Sequence, residues 1–277
     1  MPEVFQYDFM IRAFIGGALV GAMAPALGIF LVLRRLALIA DSLSHVALAG
    51  VAIGLLTQTF PPVVSLGATS IAAVAIEMVR LRRLMPGDVA LAVVLYSALA
   101  VAVVIISMAD GFNVGLFGYL FGSILTVNAL DLWLLAGLAA VVLVYVMGFY
   151  SELSQSSFDS DLAHANGVHV FSINLGLAML TGATIALSMR VVGVLLVGAL
   201  IVVPVMVSLR LATGLKVAIV VAIAVGIGSA LLGLTVSFYA DIAAGGTIVL
   251  TSVGVLMITM AASFVSGKLR SGSSRGA

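Results

Sequence analysis

Long apolar runs, separated by short polar stretches, occupy almost the whole chain. Nine of these runs have about the 20 residues that a helix needs to cross the hydrocarbon core of a bilayer. They lie at about 10–33, 37–56, 60–79, 88–109, 130–149, 172–189, 191–209, 216–238 and 245–265. In lipid, every backbone polar group must be bonded internally, and runs of this length satisfy that condition only as helices. The sequence therefore predicts an all-α membrane protein, a polytopic bundle of about nine transmembrane helices.

The composition leaves no room for a sizeable soluble domain. Of the 277 residues, 63% are hydrophobic and only 8% are charged, whereas soluble domains carry roughly 25% charged residues. We therefore expect a single transmembrane domain over 1–277. A net charge of +1 gives no electrostatic footprint for nucleic acid. The lack of cysteine excludes disulfides, thiolate metal sites and cysteine nucleophiles.

The distribution of lysine and arginine predicts the orientation, because cytoplasmic loops are enriched in these residues. Alternating nine spans places most of the cationic residues on one side: Arg34, Arg35, Arg80, Arg82, Arg83, Arg210, Lys216, Lys268, Arg270 and Arg275. That side should be cytoplasmic, with the N-terminus outside and a cytoplasmic tail at 267–277, disordered at its Gly/Ser-rich end. Glu3 and Asp8 precede the first run where a signal peptide would be basic, so we expect that run to be retained. If 190–193 is not a full exit from the bilayer, the count falls to eight spans.

Two further features bear on helix packing. A tenth apolar stretch, at 115–125, is too short to cross a bilayer and is interpreted as a broken or re-entrant segment packed inside the bundle. Glycines four residues apart allow helices to approach closely. Such pairs are Gly17 with Gly21, Gly50 with Gly54, and Gly118 with Gly122.

The second run carries ionisable side chains well inside its apolar sequence. Asp41 and His45 are four residues apart, so they share one helix face. His45 lies roughly 15 Å of helix rise beyond Arg35. An ionisable residue within a span indicates a functional site by default. A carboxylate and an imidazole form part of a site for a divalent metal such as Zn²⁺ or Mn²⁺, and a two-fold dimer would supply four such ligands.

The same pattern has other interpretations. Asp41 and His45 would have a structural role if they formed a hydrogen-bonded pair that ties two helices together. Ser42 and Ser44 beside His45 suggest a nucleophile and base, but neighbouring helix positions point in different directions, which disfavours an intramembrane hydrolase. The alternative function is a proton-coupled secondary transporter. Such a transporter works without an ATPase and often has inverted internal repeats, which are not visible in this sequence.

The longest polar interruption, 151–170, falls on the predicted cytoplasmic side. Ser157 or Asp159 can cap a short helix that follows it, and Gly167 is a good C-terminal stop. We expect a short helix at the membrane surface here, with a plain connecting loop as the alternative. No GxxxxGK[ST] motif occurs in the chain, so it lacks a nucleotide-binding P-loop and we expect no ATPase activity from it alone.

Three segments resemble, in the same order, the membrane permease subunits of bacterial ABC importers for zinc, manganese or iron(II). They are 24–54, 158–170 and 191–210, and the resemblance extends over about 10–265. It implies a type II ABC importer permease fold in the bacterial cell membrane, with two copies forming a homodimer around a path on the two-fold axis. It also implies two kinds of partner, a cytoplasmic ABC ATPase dimer and an extracytoplasmic metal-binding protein. The metal is then the transported substrate, and no permanent cofactor is expected.

The resemblance also implies roles for individual residues. Asp41 and His45 match the carboxylate and the imidazole that coordinate the metal in transit. The segment that couples the permease to the ATPase matches Phe158, Asp159, Asp161, Leu162, Ala163 and Gly167. We prefer zinc ahead of manganese because Zn²⁺ binds most mixed oxygen and nitrogen sites more tightly. Overall likeness to zinc-importing members supports the same preference.

Overall fold

The computed structural model describes residues 7–82, 84–108, 114–122 and 127–273. These residues form twelve helices: α1 (Asp8–Leu33), α2 (Leu38–Leu56), α3 (Pro61–Leu81), α4 (Gly87–Met108), α5 (Val114–Phe121), α6 (Ala129–Gly148), α7 (Tyr150–Phe158), α8 (Ser160–Ala165), α9 (Val170–Ser188), α10 (Val194–Leu211), α11 (Leu215–Ala240) and α12 (Ala244–Ser273). Several positions that carry expectations lie outside the described residues: Glu3, Arg83, Arg275, 109, 123–126 and 274–277.

Eight of the helices are long and apolar enough to cross a membrane, which confirms eight of the nine predicted spans. They are α1, α2, α3, α4, α6, α9, α11 and α12. The remaining prediction, 191–209, corresponds to α10, an 18-residue apolar helix that begins after a turn. Met189, Val191 and Val192 are buried there, so 190–193 does not form an exposed loop.

The α10 helix runs alongside α1 in the same direction. Gly16 of α1 faces Val191, and a Cβ on Gly28 would lie 1.9 Å from the carbonyl oxygen of Ile201. No side chain fits there, so the α1 and α10 backbones touch. Gly193, with φ +92, adopts a left-handed conformation that suits glycine and packs directly against the end of α5. The short α5 helix therefore packs against α2, α10 and α12, as the interpretation of 115–125 as a segment packed within the bundle predicted.

Two of the three predicted glycine pairs are confirmed as close helix contacts. Gly17 and Gly21 lie against α11, and a Cβ on Gly21 would be 2.7 Å from a backbone oxygen of that helix. Gly50 and Gly54 lie against the first turns of α3, where their Cβ atoms would be 2.6 and 2.7 Å from backbone Cα atoms. In contrast, no atom lies within 4 Å of the Cβ position of Gly118. Close backbone approach increases van der Waals contact, which drives helix association in lipid.

One end of the bundle is held by Arg190, in the turn between α9 and α10. Its Nη1 atom donates to both carboxylate oxygens of Asp131 at 2.9 and 2.8 Å, and Asp131 also completes a capping box with Asn128 at the start of α6. The guanidinium carbon is 5.8 Å from the ring centroid of Tyr119 and 6.0 Å from that of Phe60. Burial acts to lower the pKa of Arg190, but its hydrogen bond to Asp131 and its other neighbours raise this pKa overall. Arg190 therefore joins α5, α6 and the start of α3.

The opposite end of the bundle carries Arg34 and the polar segment 151–170. Two short helices, α7 and α8, occupy this segment, where the sequence predicted one. At the same end, α12 continues to Ser273, so the first part of the tail predicted at 267–277 is helical. Extension of a formed helix needs no new nucleation, which explains why the helix passes the end of its apolar run.

Candidate functional site

The Asp41 and His45 side chains lie on the one exposed strip of the first two turns of α2. Leu38 is 50% exposed, Asp41 is exposed and His45 is half-buried, whereas Ser42 and Leu43 between them are buried. We call Leu38, Asp41 and His45 the α2 stripe. The spacing of three and four residues places all three on the same helix face, as the sequence predicted.

The Asp41 carboxylate packs over a glycine of α10. A Cβ on Gly198 would lie 2.7 Å from Oδ1 of Asp41, so the carboxylate occupies the space that a side chain would need. Gly198 is thirteen residues before the end of α10 at Leu211, which corresponds to about 20 Å of helix rise. The carboxylate therefore lies level with a residue well inside α10, away from the end of that helix at Leu211.

The Asp41 carboxylate and the His45 imidazole are not hydrogen-bonded to each other in the described residues. The Nδ1 atom of His45 is buried and has no hydrogen-bond partner. Within the described ranges, no hydrogen bond or ion pair joins Asp41 to His45, which disfavours the interpretation as a structural tie. The hydroxyl of Ser42 donates at 2.9 Å to the carbonyl oxygens of Leu38 and Leu91, so it points towards α4 and away from the imidazole. That arrangement disfavours a serine nucleophile.

The exposed surface around the pair continues along α10. Val202 is half-buried and Met206 is 38% exposed, one and two turns beyond Gly198 on the same helix face. We call Val202 and Met206 the α10 stripe. A carboxylate within a span is costly in lipid and normally faces protein or a water-filled cavity. In the described part of the chain, no three His, Cys, Asp or Glu side chains are grouped to hold a metal.

The predicted short helix is confirmed as α8, and its cap is Asp159. The Asp159 Oδ1 atom accepts the backbone N–H groups of Asp161 and Leu162, both at 3.0 Å. At the other end, the Gly167 N–H donates to the His164 carbonyl and the next N–H donates to the Ala163 carbonyl. This pair of bonds is a Schellman motif, and Gly167 has the left-handed conformation that the motif requires, with φ +84.

The α7 and α8 helices present apolar side chains to solvent as well as to the bundle. Phe158 is 71% exposed and Leu162 is 59% exposed, whereas Ala163 and Leu153 are fully buried and attach the two helices to the protein. Phe158 and Leu162 are thus two large apolar side chains exposed on an otherwise polar segment. We call Phe158 and Leu162 the α8 surface.

Sequence reasoning missed Gly198, and it assigned Ser157 a role that the structure does not support. A glycine within the mostly large apolar side chains of 194–203 was the signal for Gly198, because it marks a close approach. Ser157 was a candidate cap for α8, but its hydroxyl donates to the Leu153 carbonyl at 2.6 Å and accepts from Arg34. No local pattern indicates that contact with Arg34, because 123 residues separate the two partners.

Comparisons with known proteins agree with this architecture. A family model described as the ABC 3 transport family matches residues 6–263. The chain is 35% identical over 258 residues to the "Probable metal transport system membrane protein" of Treponema pallidum (strain Nichols), covering 93% of this chain and 97% of that protein. It is 31% identical to the manganese import system permease protein ScaB of Streptococcus gordonii, covering 96% and 94%. It is 30% identical to the high-affinity zinc uptake system membrane protein ZnuB of Haemophilus influenzae, covering 92% and 98%.

A solved structure has the same fold. PsaBC from Streptococcus pneumoniae, in complex with Fab, contains a chain that superposes with a TM-score of 0.82 at 29% identity, covering 92% of both chains. The resemblance noted in the sequence is thus confirmed for the family and for the fold. The chain belongs to the ABC 3 transport family and is a multi-pass membrane permease of the ABC transporter type.

Proposed function

We propose that the chain is the permease subunit of an ATP-driven importer that moves a divalent transition metal into the cytoplasm. The observation that carries this proposal is the α2 stripe, where a carboxylate and an imidazole share one exposed face inside a span. The Nδ1 atom of His45 is buried without a partner, which suits a site that a ligand or a second copy completes. The names of the relatives, which refer to manganese and zinc, support the same class of substrate.

Two copies of the chain would complete the path. If two copies meet on their α2 and α10 stripes, two Asp41 carboxylates and two His45 imidazoles converge. Such a set of two oxygens and two nitrogens matches the four-coordinate preference of Zn²⁺. The same contact would cover the carboxylates from lipid, which removes the cost of exposing them there. The homodimer therefore explains why a costly pair of residues lies on an open face of one copy.

Zinc is the first choice of substrate and manganese is the second. The Irving-Williams order favours Zn²⁺ over Mn²⁺ at a mixed oxygen and nitrogen site. Relatives named for the two metals have nearly equal identity to this chain, at 30% for zinc and 31% for manganese. The choice therefore rests on the chemistry of the ligands, and a direct competition between the two ions tests it.

The remaining parts of the importer follow from the α8 surface and the missing P-loop. The α8 surface is the proposed docking site for a separate ATPase dimer, with Asp159 and Gly167 holding its helix in shape. The end of the bundle that carries Arg34 is then cytoplasmic, the N-terminus is outside and the C-terminus is inside. A metal-binding protein would deliver the ion at the Arg190 end, in the bacterial cell membrane.

Reconstitution in liposomes tests the proposal against the secondary transporter. The chain with its ATPase partner is expected to accumulate radioactive ⁶⁵Zn²⁺ or ⁵⁴Mn²⁺ only when ATP is present on the ATPase side. The chain alone is expected to hydrolyse no ATP, since it has no P-loop. Metal accumulation by the chain alone, driven by a proton gradient, would overturn the ABC importer in favour of the secondary transporter.

Substitution of Gly198 by alanine is expected to lower metal uptake about tenfold without loss of folded protein. The new Cβ would lie 2.7 Å from Oδ1 of Asp41, so the carboxylate must move, and small displacements of a ligand cost this much or more. Gly228→Ala is the matched control, because no atom lies within 4 Å of its Cβ position in α11. The measurement is uptake of ⁶⁵Zn²⁺ at equal amounts of inserted protein. Equal uptake by both variants would show that contact with Gly198 does not set the position of Asp41.

A further inference from the structure

Arg34 connects the corner between α1 and α2 to the polar segment at the same end of the bundle. Its Nε atom donates to the Ser157 hydroxyl at 3.1 Å, and its two terminal nitrogens donate to the Ser156 hydroxyl and the Asn174 side-chain oxygen. Ser156 and Ser157 belong to α7, and Asn174 lies in the first turns of α9. One guanidinium thus joins three elements that are far apart in sequence.

The guanidinium lies in a partly buried polar setting and remains charged. Burial and the charge of Arg80 lower the pKa of Arg34 to about 10, against the opposite effect of Glu77. Glu77 is itself buried and paired with Arg80 at 2.7 Å. A pKa of about 10 leaves Arg34 protonated at neutral pH, so its three bonds are charge-assisted and stronger than neutral ones. Loss of the guanidinium would leave Asn174 and the serines short of a donor in a poorly solvated place.

The corner on which Arg34 lies has little freedom to absorb movement. The Leu36 N–H donates to the Leu31 carbonyl at 2.8 Å, and the Ile39 N–H donates to the Leu36 carbonyl at 2.9 Å. Arg35 has a φ of +59, a conformation that few side chains adopt freely, and Leu36 is buried. Arg34 is therefore linked through a fixed turn to the start of α2 at Leu38.

The connection from Arg34 to the α8 surface is equally direct. Ser156 and Ser157 immediately precede Phe158, and Asp159 both ends α7 and caps α8. A displacement of the α8 surface therefore moves the two hydroxyls that Arg34 holds. On the α2 side, Asp41 is seven residues after Arg34 and only one turn into its helix. The contacts form a continuous path from the α8 surface to the Asp41 carboxylate.

We propose that Arg34 is a positioning residue that transmits movement of α7 and α8 to the start of α2, and so couples the ATPase to the Asp41 carboxylate. This inference rests on the proposed function, because it presupposes an ATPase at the α8 surface and a metal at Asp41. Under this proposal, Arg34 contacts neither the metal nor the ATPase. Its loss should therefore separate ATP hydrolysis from transport and leave both partners bound.

The test is the number of ATP molecules hydrolysed per metal ion transported, measured with the full complex in liposomes supplied with ⁶⁵Zn²⁺ and, separately, ⁵⁴Mn²⁺. Arg34→Met keeps the length of the side chain but removes every donor. It is expected to copurify with the ATPase, to hydrolyse ATP, and to raise this ratio at least tenfold. Arg34→Lys keeps the charge with fewer directed donors and is expected to give an intermediate ratio. Arg35→Met is the matched control on the same corner, because Arg35 is exposed, and it should keep the wild-type ratio.

Variants of the partners keep the inference falsifiable if Arg34→Met does not insert. Asn174→Ala and the double variant Ser156→Ala with Ser157→Ala should each raise the ratio. When each is combined with Arg34→Lys, the increase in the ratio should be smaller than the product of the two separate increases, because both changes act on the same bonds. An unchanged ratio in the Arg34 and partner variants, or a parallel fall of hydrolysis and transport, would overturn the inference. A wild-type complex that transports neither ion would instead overturn the proposed function.

Discussion

Replacement of Asp41 or His45 by alanine is expected to reduce metal uptake by at least about 100-fold. In the proposed dimeric path, each substitution would remove one ligand type from both copies, so an ion would lose two of its four ligands. A charged or polar residue within a span is retained at a cost, which function must justify. The loss of either side chain should therefore lower the rate of metal transport.

Stability should change little in the same two variants. Asp41 is exposed in the single copy and His45 is half-buried, and no hydrogen bond joins the two in the described ranges. Substitutions at exposed positions outside buried hydrogen-bond networks usually stay within about 0.5 kcal/mol. Leu56→Ala is the matched control, because Leu56 is an exposed residue at the other end of α2, outside the α2 stripe. The measurements are ⁶⁵Zn²⁺ and ⁵⁴Mn²⁺ uptake in cells that lack their own importers, with the amount of inserted protein determined in parallel. Normal uptake by both the Asp41 and the His45 variants would remove the pair from the transport path.

Substitution of Gly167 by valine is expected to abolish ATPase copurification, and transport with it, while the chain still inserts into the membrane. The position is open, with no atom within 4 Å of a Cβ, so the effect is conformational. The φ of +84 costs a residue other than glycine about 1–2 kcal/mol, and a β-branched residue more. Valine should therefore unwind the Schellman motif and misplace the α8 surface.

Gly214→Val is the matched control for this prediction. Gly214 also lies in open space at the same end of the bundle, but its φ of −167 is extended backbone that valine adopts freely. Phe158→Asp tests the surface separately from its cap, and it should also weaken ATPase binding. If Gly167→Val and Phe158→Asp both copurify with the ATPase as the wild type does, α8 is not the coupling element.

Much of the fold was predictable because lipid imposes a local condition on the sequence. A run of about 20 apolar residues must form a helix whatever its neighbours are, so the spans could be located without tertiary information. The α8 helix was predictable for a similar reason, since Asp159 and Gly167 satisfy backbone groups only a few residues away. The shared face of Asp41 and His45 follows from helix periodicity alone.

Other features depended on partners that are distant in the sequence. The α10 helix begins at a buried turn because Gly28 allows contact with Ile201 and because Gly193 packs against α5, and neither contact has a local signal. Likewise, α7 contains few apolar residues, and its place in the fold is secured by the contact of its serines with Arg34.

From the sequence alone came the class of protein, the positions of the spans, the pair of candidate ligands and the capped helix. All of these depend on interactions within about one helix turn or on the apolar solvent. Only the tertiary structure showed that Gly198 makes room for the Asp41 carboxylate and that Arg34 bridges α1, α7 and α9. Those contacts join residues more than 100 positions apart, and the free energy that selects them comes from the packing of the whole bundle.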